Sequence, residues 1–372
     1  MTEVAILGFG TVGSGVAQVL RDNAPEIASG AGDEIRLKYI VDVRDKPDSP
    51  FASLMTKDFA VVEQDPDVEI VVETIGGCGV ALQFTRRALA AGKHVITSNK
   101  QLVAEHGVEL LALAKEHGVN YFFEASVGGG IPLLRPLFND LSANKILGIK
   151  GIVNGTTNYI LSNMQHSGVE LADALKEAQR LGYAEANPDS DLDGVDAARK
   201  ACILADLAWG REVKPELVKT QGIRQVSLSD IQAAQEAGGA LKLLCRLVRS
   251  EDGTVFVWVA PHFVPGSSML CHVDEAFNAV IITGNALGDA LFYGTGAGSI
   301  PTASAVVGDI VDAARHKTAP RGIGWTDEPV AMGDPDTLPS RWFVRVGGVW
   351  SLTECCTVSQ LPETEARYRV LD

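Results

Sequence analysis

The chain reads as an α/β protein, a doubly wound parallel sheet followed by a more β-rich α+β domain. Two patterns in its 372 residues carry that reading. Over the first third, short apolar runs alternate with segments of helical period, and such alternation builds parallel sheets flanked by helices. From about residue 133 the pattern changes, and the runs 240–249, 254–264 and 278–293 suit the strands of an antiparallel or mixed sheet.

The first element is a strand at 4–7 (VAIL). Gly8-Phe9-Gly10-Thr11-Val12-Gly13 follows, then a helical segment with Val12, Val16, Val19 and Leu20 on one face. Strand, glycine turn and helix in this order form the Rossmann-type dinucleotide fingerprint. Gly8 permits the tight turn, Gly10 lets the backbone approach a pyrophosphate, and Gly13 permits close packing of helix on strand. Free N–H groups at the helix start would hold the anion, even in an acidic protein. Candidate strands follow at 35–43, 68–74, 93–97 and 119–124, with helices at 80–91 and 101–116. At the end of the second strand an acidic residue bonds a ribose 2′-hydroxyl, whereas an arginine accepts a 2′-phosphate. Asp42 and Arg44 are both present, so NAD and NADP both stay open.

Open α/β sheets place ligands at the carboxyl ends of their strands. Here those ends carry Ile75-Gly76-Gly77, Thr97-Ser98-Asn99-Lys100 and the glycine-rich run from Glu124 to Pro132. The expected cofactor contacts are Gly8, Gly10, Thr11, Val12, Gly13, Arg44, Gly76, Thr97, Ser98 and Lys100. Beside a nicotinamide ring, Lys100 could donate or accept a proton; the plain alternative is a solvated lysine opening the next helix. Glu124 precedes a turn full of exposed carbonyls, an oxygen set that suits a hard cation. A carboxylate capping backbone amides is the other reading.

A helix at 131–142 leads to an apolar strand, 145–153, ending in Asn154-Gly155-Thr156-Thr157-Asn158. That polar loop caps a helix, and its hydroxyls and amides suit a substrate carboxylate. The segment 182–200, GYAEANPDSDLDGVDAARK, is turn chemistry and then a helix running from Val195 to about Trp209. Asp196 and Lys200 are i and i+4 on one face, and the same stripe reaches Ile203 and Leu207, so this face turns inward further along. As a solvated ion pair it would be worth only about 0.3–0.5 kcal/mol. Near the end, GTGAGSIPTAS introduces a helix at roughly 302–316 that returns to the first domain. The expected organisation is 1–133 with 300–316 as the dinucleotide-binding domain, 134–299 for substrate binding and dimerisation, and 317–372 as a tail with one strand-like run, RWFVRVG.

A net charge of −15 argues against nucleic-acid binding, which needs a basic surface. No apolar run approaches the roughly 20 residues that span a bilayer, and MTEVAILGFG enters a strand without a basic flank or cleavage site. The expected location is cytoplasmic. The six cysteines lack zinc spacing and are expected to be free thiols, mostly buried, with Cys355 and Cys356 adjacent. His262 and His272 lie among apolar strands and read as structural.

The blocks GFGTVGSG, IGG, AGKHVITSNK, FEASVGGGIP, GIVNGTTNYIL, GYAEANPDSDLDGVDAARK and GTGAGSIPTASAVVGDI, in this order over about residues 1–316, resemble homoserine dehydrogenases. The 182–200 segment is the most specific of them. The resemblance implies NAD(P)-dependent interconversion of L-homoserine and L-aspartate 4-semialdehyde in threonine, methionine and isoleucine biosynthesis, by a homodimer or homotetramer. It assigns proton transfer to Lys100 and Lys200, with Asp196 serving the second lysine. It gives substrate binding to Glu185, Asp191, Gly155, Thr156, Gly182 and Tyr183. A monovalent cation, sodium, would sit at Glu124 with the carbonyls of Val127, Gly129 and Ile131. Two nearby ammoniums would lower each other's pKa toward a useful range. Asn187 stands where the family usually has Asp, and Cys78-Gly79 where it has a residue followed by Pro. The tail is shorter than a full ACT domain, and RWFVRVG reads as its remnant. The competing readings are another NAD(P)-dependent amino-acid or semialdehyde dehydrogenase on the same scaffold and a non-catalytic dinucleotide-binding regulator.

Overall fold

A computed structural model describes residues 1–328 and 330–372. They fall into two compact units, the first formed by Met1–Ser142, Asp206–Glu212 and Thr295–Glu328, the second by Ala143–Ala205, Val213–Gly294 and the residues from 330 onward.

In chain order the first unit begins with β1 (Thr2–Leu7), α1 (Thr11–Asp22), α2 (Ala24–Ala31), β2 (Ile35–Val41), β3 (Met55–Thr56), α3 (Phe59–Gln64) and β4 (Val68–Glu73). It continues through α4 (Val80–Ala90), β5 (His94–Thr97), α5 (Lys100–Glu116), β6 (Tyr121–Phe122) and α6 (Leu134–Phe138). The second unit contributes β7 (Ile146–Ile152), α7 (Gly155–Ser167), α8 (Leu171–Leu181), α9 (Asp189–Leu192) and the start of α10 (Val195–Trp209). Then come β8 (Lys219–Thr220), α11 (Leu228–Glu236), β9 (Gly239–Arg249), β10 (Val255–Pro265), β11 (Phe277–Gly284) and β12 (Gly288–Thr295). The chain ends with α12 (Ser299–Arg315), which belongs to the first unit, and β13 (Trp342–Val346), β14 (Val349–Leu352) and β15 (Ala366–Val370).

The first sheet has the order β3-β2-β1-β4-β5-β6, with parallel pairing throughout. This is the doubly wound order whose direction of winding reverses at β1 and β4. β1 is buried along its whole length, and Val4, Ile6, Val16, Ile40, Ile70, Val72 and Ile96 share one core with Val306 and Ile310 of α12. Each such side chain contributes about 1.5–3 kcal/mol by leaving water. Gly15 lets α12 press against α1, since a Cβ there would stand 2.6 Å from Ser299 Oγ.

The second sheet is mixed, with the order β12-β11-β7-β9-β10-β15-β13-β14 and β8 beside β10. Its spine is the long β9–β10 hairpin, paired from Gly239–Pro265 to Arg249–Val255. The run expected as one strand at 278–293 is two, turned through Asn285, whose N–H donates to Lys145 C=O, and Gly288 at φ 80°. The helix expected at 131–142 is confined to Leu134–Phe138. The following NDLSAN is too rich in turn formers to propagate it. The 317–372 segment does not form a separate piece. Residues from 330 supply β13–β15 to the second sheet, with β15 parallel to β10, while those up to Glu328 join the first unit. Tyr368 Oη donates to the buried Asp230 carboxylate at 2.8 Å and fastens that extension to α11.

No helix among the described residues is long and apolar enough to cross a membrane. His262 is structural: it accepts the Trp258 indole N–H at 3.2 Å and bonds Ala260 C=O through Nδ1, and burial holds its pKa down near 3. All six cysteines are free, but only Cys202 and Cys245 are buried.

His94 makes the fold acid-sensitive. Its Nδ1 accepts the Asn120 backbone N–H at 2.9 Å, a bond that requires the neutral ring, and burial pushes its pKa down to about 4. The unfolded chain, with a pKa near 6.5, therefore binds more protons than the folded one between pH 6.5 and 4. Stability from this group is complete above pH 6.5 and is lost as pH falls toward 4, at up to about 1.4 kcal/mol per pH unit. Urea unfolding measured across that window should show this slope, and His94→Asn should flatten it.

Candidate active site

In the first unit the glycine turn forms as its spacing requires. Gly8 takes φ +89°, outside the range of ordinary residues. A Cβ on Gly13 would lie 2.0 Å from Gly8 C=O and 2.8 Å from Thr74 Oγ1, so only glycine lets α1 start this close to β1. Thr74 Oγ1 donates to Gly8 C=O at 2.7 Å and ties the turn to the end of β4. Gly10 is the N-cap of α1 and Thr11 and Val12 its first residues. The first N–H groups of a helix have no partners within it, a geometry suited to an anion.

Asp42 and Arg44 resolve into distinct jobs. Asp42 Oδ2 accepts the Phe9 N–H at 2.7 Å, and Oδ1 accepts the Arg44 N–H at 2.8 Å. The Arg44 guanidinium also straddles the carboxylate, at 3.0 and 2.9 Å. These bonds, the Arg44 side chain first, hold Asp42 well below the usual carboxylate range. Asp42 thus braces the turn, while Arg44, with a side chain 62% exposed, faces solvent near Gly10. Lys46 joins it: its ammonium donates to Phe9 C=O and lies 5.0 Å from the Phe9 ring centroid.

The neighbouring strand ends are organised by Glu73, a fully buried carboxylate. It accepts N–H groups of Ile75 at 2.7 Å and Gly76 at 3.1 Å, and the Thr97 hydroxyl at 2.6 Å. Thr97 Oγ1 in turn accepts the Asn99 N–H at 2.9 Å. Asn99 caps α5 through Leu102 N–H and donates to Gly77 C=O at 2.7 Å. Gly76, Thr97 and Ser98 therefore sit on one braced rim, and Lys100 is the first residue of α5. The sequence places Asn99 at this ligand-bearing strand end without a contact of its own and does not single out Glu73; an acid closing the apolar run VEIVVET is the available signal for Glu73.

Glu124 is an amide cap. Its Oε1 accepts from Leu133 and Leu134 N–H at 2.6 and 2.8 Å, and Oε2 from Arg135 N–H at 2.6 Å. Burial raises its pKa, and these amides oppose that rise. Its side chain is thereby committed to the start of α6. The turn beyond it carries Gly128 and Gly129 at φ 76° and 57°, so a cation here would be held by backbone carbonyls such as those of Val127, Gly129 and Ile131.

In the second unit the 182–200 segment closes on the start of α7. Lys200 Nζ lies 2.8 Å from Asp196 Oδ2 and donates to Val153 C=O at 2.7 Å. The side chains are 11% and 4% exposed, so the pair is not a solvated one. Asn154 is the hub: its amide donates to Asp191 Oδ1 at 2.7 Å and to Asp196 Oδ2 at 2.8 Å. Its carbonyl oxygen accepts Thr157 N–H at 2.8 Å and caps α7. The sequence reads Asn154 as part of a capping loop suited to a substrate carboxylate and gives no sign of its bonds to Asp191 and Asp196, which lie 37 and 42 residues away. Gly155 lies against Ala276 C=O, where a Cβ would come within 2.8 Å. Thr156 Oγ1 donates to Tyr183 C=O at 2.6 Å, and the Tyr183 ring packs against Tyr159 in a tilted arrangement, centroids 4.8 Å apart and planes at 38°. Gly182 closes α8 at φ 81°. Glu185 is exposed beside this rim, its backbone carbonyl held by Gln179.

Comparison with known proteins covers both units. Residues 8–124 match the family model "Homoserine dehydrogenase, NAD binding domain", and residues 132–311 match the model "Homoserine dehydrogenase". The homoserine dehydrogenase of Neisseria gonorrhoeae is 44% identical over 355 residues, 92% of this chain and 81% of that protein. The Bacillus subtilis enzyme is 44% identical over 83% of this chain and 72% of its own length. Among solved structures, a homoserine dehydrogenase from Thiobacillus denitrificans superposes with a TM-score of 0.91 at 37% identity, covering 100% of this chain and 98% of that one. A hyperthermophilic archaeal homoserine dehydrogenase mutant in complex with NADPH has a TM-score of 0.71 at 29% identity, over 84% of this chain and 97% of that one.

The close approach at Gly13 sets an expectation. Gly13→Ala should destabilise the first unit by about 1–3 kcal/mol and weaken dinucleotide binding, read as a lower melting temperature and a higher Kd in NADPH fluorescence titration.

Proposed function

The chain belongs to the homoserine dehydrogenase family, and from that membership we propose how its residues divide one reversible oxidation, L-homoserine to L-aspartate 4-semialdehyde. The observation that carries the reading is the buried Asp196–Lys200 pair, hung on Val153 C=O and the Asn154 amide. A buried lysine fixed by a carboxylate has a defined position, donating a proton as its ammonium and accepting one as its neutral amine, which acid–base catalysis requires.

The first unit binds NAD(P) at the glycine turn, and the cofactor when bound supplies the hydride acceptor. Lys100 and Lys200 serve proton transfer at the substrate oxygen, removing the hydroxyl proton in oxidation and returning it in reduction. Asp196 positions Lys200. Glu185 and Asp191 take the substrate ammonium, while Gly155, Thr156, Gly182 and Tyr183 line the amino-acid site. Small flanking glycines leave room for the substrate, and the two carboxylates select an amino acid over a simple alcohol.

Arg44 and Lys46 favour a 2′-phosphate and so NADP, because Asp42 already spends both oxygens on Phe9 and Arg44. Sodium in the turn after Glu124 would be structural, bound by carbonyls alone. The family also points to a cytoplasmic homodimer or homotetramer, which light scattering would measure.

Lys200→Ala should lower kcat by about 10²–10⁴-fold with the Kd for NADPH nearly unchanged, assayed below the variant's melting temperature because breaking a buried pair costs about 3–5 kcal/mol. Near-normal turnover would remove Lys200 from the chemistry. Arg44→Ala should raise KM for NADP⁺ by about 10–100-fold, the weight of hydrogen bonds to charge, and leave that for NAD⁺ almost unmoved. Equal effects on both cofactors would count against a 2′-phosphate contact.

A further inference from the structure

Cys78, Glu105 and His106 converge in the first unit although the sequence separates the cysteine from the other two by a whole β-strand and helix. One sulfur, one carboxylate oxygen and one imidazole nitrogen all lie within 4.8 Å of one another. Cys78 sits in the loop between β4 and α4, after Gly77 at φ 66°, and Glu105 and His106 are consecutive in α5. Cys78 Sγ is 3.5 Å from Glu105 Oε2, and Asn99 Nδ2 already ties Gly77 C=O to the start of α5. Consecutive helical side chains diverge by about 100°, so the carboxylate and the imidazole approach the sulfur from different sides.

We propose that this cluster binds one borderline-soft divalent cation of the zinc class, through the Cys78 thiolate, the Glu105 carboxylate and the His106 imidazole, with water in the fourth position. Thiolate and imidazole select such an ion over magnesium or calcium, which take oxygen sets. Zinc bonds sulfur at about 2.3 Å and nitrogen at about 2.0–2.1 Å, so the ligands must draw together modestly. Glu105 is exposed, and its Oε2 also accepts the Gln101 side-chain amide at 3.3 Å. Binding forms the metal–sulfur bond and releases the thiol proton to solvent, with no change of oxidation state.

Occupancy would clasp the loop 76–79 to α5. The proposal rests on these ligands alone, whatever the roles of Gly76 and Lys100.

The untagged chain carrying Cys355→Ser, which removes the exposed thiol, is stripped with chelator and titrated with Co²⁺. One equivalent should bind with thiolate-to-cobalt charge-transfer absorption that Zn²⁺ abolishes by displacement. Cys78→Ser should erase the band, and His106→Gln should weaken Co²⁺ binding by about 10-fold or more. Zn²⁺ but not Mg²⁺ should slow alkylation of Cys78 by iodoacetamide, read by peptide mass. The same band in the Cys78→Ser variant, or alkylation of Cys78 indifferent to Zn²⁺, would overturn the site.

Discussion

Buried charge is the constraint on which the rest of this structure depends. Taking an ammonium or a carboxylate out of water costs several kcal/mol per ion, and at the candidate site Lys200, Asp196, Glu73 and Glu124 are retained where backbone or amide groups complete their bonding. Lys200 keeps its charge inside because Asp196 and Val153 C=O hold it. Asp196 in turn is held by Asn154, which is fixed by capping α7. The polar cluster of the second unit is thus inseparable from where one helix begins.

The first unit obeys the same rule at three places. Glu73 spends its oxygens on the loop after β4 and on Thr97. Glu124 caps α6, and Asp309 of α12 accepts the Glu124 N–H at 2.9 Å while pairing with Arg135. Burial pushes Asp309 up to about 7, against the pull of Arg135. These carboxylates fasten loops at the carboxyl ends of parallel strands, where an open α/β sheet has its ligand crevice. Glycines supply the complementary condition. Gly8, Gly13 and Gly15 give the backbone the close approaches that any Cβ would block, so polar bracing and steric permission meet at the same turn.

Most of the architecture was legible in the sequence, because it follows from local periodicity. The helix starts at Thr11, Gly155 and Val195 and the parallel β-α alternation lie close to where the pattern of apolar residues puts them. Errors arose where local pattern underdetermines length. The helix after Pro132 stops early in NDLSAN, and the apolar run 278–293 folds back at Asn285. The tail offered one strand-like run but has three strands, because β13 and β15 gain their stability from each other and from β10. A short run cannot announce a partner so distant in sequence.

The sequence by itself determined the fold class, the glycine turn, the helix caps and the family, since each is written in residues close together along the chain. It also placed Asp196 and Lys200 on one helical face. Only the tertiary structure decided what each polar atom does. Asp42 braces a turn, Glu124 holds amides, Asn154 joins Asp191 to Asp196, and Cys78 meets Glu105 and His106. The reason is physical: backbone periodicity is a local property, whereas the partner of a buried polar group is whichever donor or acceptor the folded chain brings within about 3 Å.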